Sequence, residues 1–277
     1  MKFCIVGTGR CGTTLLWRMM NSHPDLFVFR ETHWIPTLFE RFGIQTVPSE
    51  ALMDIVQRTN HVTGDPVVPF SAAEFAASPF WAEKMSVPEF CEALARFLGQ
   101  PKKFTYWADK TPDYFYFVST LQTYWPECEI IHLIRDGADV SASMSGHPGY
   151  QALAELDILH WPSMALDYAP PAGGFSAQPM RRFARLWHDR LQRVRDEAPS
   201  LKPGSYHEVR YEDILADPKA ELRLLTDFVG ISANEDWLEY AASLVQPNAG
   251  RRHKNRTEIL ESFDEPELQL MKALGYE

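Results

Sequence analysis

The sequence has no long hydrophobic run. No stretch of its 277 residues approaches 18 uncharged apolar positions, so no membrane span is expected. Cysteine is scarce: Cys4, Cys11, Cys91 and Cys128 are scattered with no C-x-x-C pair, which suggests neither a zinc site nor a disulfide framework. Positive charge is also short, with 27 Lys and Arg against 37 Asp and Glu and a net charge of −10. A nucleic-acid groove is therefore not expected, and an anion site must be a local positive pocket in an acidic surface. A single lysine precedes the first apolar residues, where a signal peptide would need a longer apolar core. Together these absences describe a protein of the cytoplasm with reduced thiols. What is present is ordinary for a folded domain, 45% apolar and 23% charged. The length suits one large domain or two small ones; no repeat or linker divides it, so residues 1–277 are read as one.

The most informative stretch is the first fourteen residues. Phe3 to Val6 is a short apolar run, consistent with a buried parallel strand. It breaks into Gly7-Thr8-Gly9-Arg10-Cys11-Gly12, and Thr13 onward reads as a helix. Strand, glycine-containing loop and helix N-terminus make a phosphate cradle, because free backbone N–H groups and the positive end of the helix dipole face the anion. The spacing from Gly7 to Gly12 is that of a P-loop, but Thr13 follows where a nucleotide-hydrolysing loop carries lysine. That argues against ATP or GTP chemistry and leaves one cation, Arg10, with the hydroxyls of Thr13 and Thr14. The plainer reading is a strand-to-helix turn without a ligand.

The loop resembles the 5′-phosphosulfate-binding loop of sulfotransferases that use 3′-phosphoadenylyl sulfate (PAPS), above all the tyrosylprotein branch and its bacterial relatives. The pattern there is roughly G-x-x-R-S-G-T-T; Gly9, Arg10, Gly12, Thr13 and Thr14 fit the cradle, and Cys11 stands where serine is usual.

Leu26–Phe29 reads as a second strand, followed by Arg30-Glu31-Thr32-His33. Ligands of open parallel sheets sit at the carboxyl ends of the strands, so a parallel arrangement brings Glu31 near the loop, where a carboxylate can take a proton from a hydroxyl. Taken alone, Glu31 is equally a surface residue at a helix start. The resemblance implies more: Glu31 to Pro36 is similar to the family's E-T-R-x-x-P segment, whose Glu is the proposed base. His33 replaces the arginine, either altering acceptor recognition or offering a rival base.

Helices are expected over 37–42, 50–58 and 89–98, with an irregular stretch over 60–78. Phe104–Trp107 reads as a third strand followed by polar residues, after which Thr111 and Pro112 start a helix running to about Trp125. A lysine beside an anion cradle can neutralise a transferring group, although an isolated Lys110 would be solvated; the resemblance makes it the catalytic lysine. Glu129–Ile134 is the clearest strand. Arg135 and Ser143 follow it at the eight-residue interval of the family's 3′-phosphate signature, and a guanidinium with a hydroxyl suits a phosphate. Further helices are expected over 151–159, 179–198, 218–229, 235–245 and 265–274, with a strand at Tyr206–Arg210. Tyr211, directly after that strand, matches a nucleotide-contacting tyrosine of the family. The basic run containing Arg251, Arg252 and Lys254 reads as a solvated loop, or by its place as the family's C-terminal nucleotide-binding segment.

The resulting expectation is an α/β domain with a central parallel sheet of four or five strands flanked by helices, P-loop NTPase-like. The resemblance implies a sulfotransferase that moves a sulfuryl group from PAPS to a hydroxyl, leaving 3′-phosphoadenosine 5′-phosphate (PAP). Glu31 is the base; Lys110 and Arg10 stabilise charge, and no metal is required. The alternatives are a P-loop small-molecule kinase that recruits Lys110, or a non-catalytic nucleotide-binding protein. Neither the acceptor nor the oligomeric state is legible.

Overall fold

The computed structural model describes residues 1–61, 64–161, 166–246 and 253–276. Its strands are β1 (Phe3–Gly7), β2 (Leu26–Phe29), β3 (Val47–Pro48), β4 (Lys84–Met85), β5 (Tyr106–Lys110), β6 (Glu129–Ile134) and β7 (Tyr206–Arg210). β3 and β4 form a small antiparallel ladder of their own. The other five build one sheet in the order β2-β5-β1-β6-β7, with every neighbouring pair parallel. Parallel neighbours need crossover connections, and helices supply them on both faces.

Side chains alternate across a strand, and here each face has its own core. Phe3 and Ile5 of β1 join Leu16 and Met19 of the helix Thr13–Asn21, Trp187 and Leu191 of the helix Met180–Glu197, and Leu222 and Trp237 beyond. Cys4 and Val6 join Trp34, Leu38, Ile55, Phe90 and Leu94 on the opposite face. The all-apolar run of β1 is thus buried on both sides. The helix Val87–Leu98 starts where the sequence says it should: Glu89 reaches back to accept from the Ser86 backbone N–H at 2.7 Å, and Pro88 occupies the first turn.

Three elements differ from expectation. The third strand begins later than Phe104 and runs through the polar residues to Lys110. Pairing with β1 at Cys4–Asp109 and with β2 at Phe29–Asp109 keeps the backbone extended there, so Asp109 and Lys110 are buried within the sheet. After it, a 3-10 turn over Pro112–Tyr116 and a short helix, Val118–Tyr124, replace one continuous helix. The Thr111 hydroxyl does not cap; it accepts from the Thr32 N–H at 2.9 Å. The helix expected over 151–159 lies earlier, at Pro148–Leu156, started by the His147 side chain accepting from the Gly149 N–H. Among the described residues no helix is long and apolar enough to cross a membrane.

Candidate active site

Because the five strands are parallel, their carboxyl ends share one edge. The Thr8–Gly12 loop leaves β1, Glu31 lies two residues past β2, Lys110 ends β5, Arg135 follows β6 and Tyr211 follows β7. β5 lies between β1 and β2, so Lys110 stands between the loop and Glu31. A cavity of about 1050 Å³ opens at this edge, with Arg10, Thr13, Thr14, Glu31, Arg135 and Ser143 in its wall.

Gly9 and Gly12 have φ of +75° and +103°, conformations that favour glycine. A Cβ on Gly9 would overlap the Tyr150 hydroxyl, and one on Gly12 would overlap the Tyr211 ring. Arg10, itself left-handed at φ +56°, is carried outward into solvent, where its Nε donates to Ser143 Oγ at 3.2 Å. Thr13 is buried and Thr14 exposed, both at the cavity wall. Cys11 turns the other way. Its side chain is fully buried, with Sγ 2.7 Å from where a Gly7 Cβ would stand, and burial pushes its thiol up. The cysteine in place of serine therefore offers its backbone, not its side chain, to the cradle.

Lys110 has no exposed side-chain surface and its ammonium donates to the Glu31 carboxylate. Burial lowers the lysine's pKa, with Glu31 opposing. Burial also disfavours the Glu31 charge, but the His33 ring and Lys110 overcome it and hold the carboxyl well below the usual range. His33 lies between two carboxylates, Nε2 3.7 Å from Glu31 and Nδ1 3.8 Å from Asp113. Burial would favour a neutral ring, yet these partners raise its pKa. The backbone of His33 is left-handed, φ +44°. The preceding residue pins it: Thr32 hydrogen-bonds both the Thr111 hydroxyl and the Tyr114 hydroxyl.

On the far side of the loop, Arg135 stacks its guanidinium 4.6 Å over the Tyr211 ring and donates to the Arg10 carbonyl at 3.4 Å. Its Nε is buried without a hydrogen-bond partner among the described residues. Ser143 is within reach of Arg10, so the loop and the Arg135–Ser143 signature form one surface. Tyr211 is 8% exposed and braces Gly12 and Arg135 from behind. Of the basic tail, Arg251 and Arg252 lie outside the described residues, and Lys254 is exposed. The tail nevertheless docks here: the His253 N–H donates to Asp139, and Arg256 pairs with Asp136, next to Arg135.

Sequence reasoning passed over Arg190, Asp113, Tyr150 and His61. Arg190 is fully buried, donates to the Thr8 carbonyl at 3.0 Å and to Asp113 at 2.6 Å, and stacks on Phe115 and Tyr150. A signal existed: Arg190 falls on the stripe of Phe183, Trp187, Leu191 and Val194, where an arginine is out of place. His61 carried none. The His61 ring lies 5.6 Å from that of His33, and the His61 N–H donates to the Asp65 carbonyl.

A glycine-containing loop, cations following three parallel strands and a lysine–carboxylate ion pair, gathered at one sheet edge, define a P-loop-type α/β domain. The chain belongs to the sulfotransferase family, whose model matches residues 3–235. It is 24% identical over 237 residues to protein-tyrosine sulfotransferase A of Caenorhabditis elegans, covering 85% of this chain and 51% of that one. It is 28% identical over 153 residues to nodulation protein NoeE of Sinorhizobium fredii strain NGR234, covering 54% of this chain and 32% of that one. The chain thus spans about half or less of the length of these curated relatives. The sulfotransferase domain of the curacin biosynthetic pathway shares the fold, with a TM-score of 0.59 at 17% identity over 99% of this chain and 97% of that one.

Proposed function

We propose that this domain transfers a sulfuryl group from PAPS to a hydroxyl acceptor. The observation that carries the reading is the Lys110–Glu31 pair at the ends of adjacent strands, beside a phosphate cradle without the P-loop lysine. Family membership favours sulfuryl over phosphoryl transfer.

The residues fit the nucleotide. Gly9 and Gly12 let Tyr150 and Tyr211 pack directly on the loop, and the Arg135 Nε, without a hydrogen-bond partner among the described residues, is a buried donor in need of an acceptor. Arg135 and Ser143 would hold the 3′-phosphate, with Tyr211 behind the guanidinium and the basic tail beside it. Arg10, Thr13, Thr14 and the loop N–H groups would hold the 5′ end. PAPS supplies the activated sulfuryl group; the chain supplies charge and a proton acceptor.

Glu31 is the base in this scheme. His33 is the weaker candidate, because the carboxylates of Glu31 and Asp113 on either side raise its pKa and favour the charged ring. While Lys110 donates to Glu31, the carboxylate's proton affinity is low. A lysine that turns toward an anion in the cradle releases it, so one movement serves both charge stabilisation and proton removal.

The test is a transfer assay with labelled PAPS and a panel of tyrosyl peptides, lipids, carbohydrates and small alcohols. The match to a protein-tyrosine sulfotransferase makes a tyrosyl peptide the first to try. Label appearing on an acceptor hydroxyl, with PAP as co-product, supports the reading; phosphoryl transfer from ATP-Mg in its place refutes it.

A further inference from the structure

Sequence spacing gave no metal-ligand cluster, but the fold assembles one. Glu31, His33 and His61 come from two separate loops, and each offers a ligand atom within 4.8 Å of the others. The donors are two imidazoles and a carboxylate, the set that suits zinc and its first-row neighbours rather than magnesium or calcium. Zinc binds such donors at about 2.0–2.2 Å, so the three ligand atoms must draw closer together than the 4.8 Å that now bounds them.

The surroundings are those of a ligand site. Lys110 donates to one Glu31 oxygen, Oε1, leaving Oε2 facing His33 Nε2 at 3.7 Å. Asp113 lies 3.8 Å from the other His33 nitrogen, the place of the carboxylate that orients a metal-bound imidazole. Arg190 anchors Asp113 in turn. The left-handed backbone of His33 is held by Thr32, and the His61 N–H donates to the Asp65 carbonyl. The four cysteines are buried and offer no competing thiolate. Three protein donors leave a fourth position open to water or an acceptor.

We infer that Glu31, His33 and His61 form a binding site for a divalent cation of the zinc class, and that its occupancy ties up the Glu31 carboxylate and blocks turnover. The binding claim rests on geometry alone; the inhibitory consequence also rests on the proposed role of Glu31.

Calorimetric titration of the metal-stripped chain with Zn²⁺, without nucleotide, tests the site. The expected result is one equivalent bound, with Mg²⁺ giving no saturable heat at the same concentration. His61→Phe keeps a ring against His33 without a donor, and His33→Asn suits the left-handed backbone; each should weaken Zn²⁺ binding at least tenfold. Thermal midpoints of both variants establish that they fold, and His61→Ala repeats the test without the ring. Absence of saturable Zn²⁺ binding by the wild-type chain, or equal binding by folded variants, overturns the inference. These readouts are independent of activity, so failure of the sulfuryl-transfer reading would leave them standing. In the transfer assay, Zn²⁺ should inhibit and a chelator should restore the rate. Turnover unaffected by bound Zn²⁺ refutes the inhibitory consequence.

Discussion

The Lys110 ammonium donates to the Glu31 carboxylate across the boundary between two parallel strands, with no lysine surface left to solvent. One group of the pair is suited to stabilise negative charge and the other to take a proton, and each tunes its partner. Lys110→Ala should lower turnover by about 10²-fold or more, the scale of a lost electrostatic stabiliser, with PAP affinity reduced far less. Steady-state kinetics beside calorimetry separates the two; a near-normal rate would return Lys110 to a structural role.

Glu31→Gln retains the shape of the side chain and removes the proton acceptor. Turnover should fall roughly 10²–10⁴-fold while PAP still binds. His33→Asn, which tolerates the left-handed backbone, should chiefly raise the acceptor KM. The reverse pattern, an active Glu31→Gln and a dead His33→Asn, would exchange their roles.

On the proposed reading, Arg135 and Ser143 hold a 3′-phosphate that ADP lacks. PAP should bind about 2–4 kcal/mol more tightly than ADP, the value of a charged contact with its hydrogen bonds. Arg135→Ala should erase most of the difference. Equal calorimetric affinity of the wild type for both nucleotides would remove the 3′-phosphate assignment.

Arg190 ties the Thr8 carbonyl to Asp113 from inside the core. Arg190→Ala breaks a buried pair and should cost about 3–5 kcal/mol in chemical denaturation, whatever its effect on catalysis. A loss under 1 kcal/mol, on the scale of a surface ion pair, would show that Asp113 finds other partners.

Asp109 is buried within β5, and burial raises its carboxyl to about 6, against hydrogen bonds from Thr111 and Thr32. The unfolded chain releases that proton near pH 4, so the contribution of Asp109 to stability is complete below that pH. It is lost as pH rises through about 6. Asp109→Asn should match the wild type near pH 4 and exceed it by up to about 3 kcal/mol at pH 7. Parallel stability curves at the two pH values would contradict this.

Local patterns determined much of the molecule. The apolar run before the glycine loop, the strands Leu26–Phe29, Glu129–Ile134 and Tyr206–Arg210, and the long helix after Pro179 were legible because burial and turn chemistry act over a few residues. Arg10, Glu31, Lys110 and Arg135 end or follow strands, and in a parallel sheet all such positions reach one edge; their roles, and that of Ser143 inside the next helix, come from the family resemblance and not from local pattern. Only the tertiary structure decided the rest. Strand order put Lys110 between the loop and Glu31, and pairing on both sides carried β5 through two buried charges that the apolar pattern excluded. Burial turned Cys11 away from the cradle. Arg190 met Asp113 across 77 residues of sequence, and His61 met His33 from a separate segment, through contacts that no local periodicity encodes.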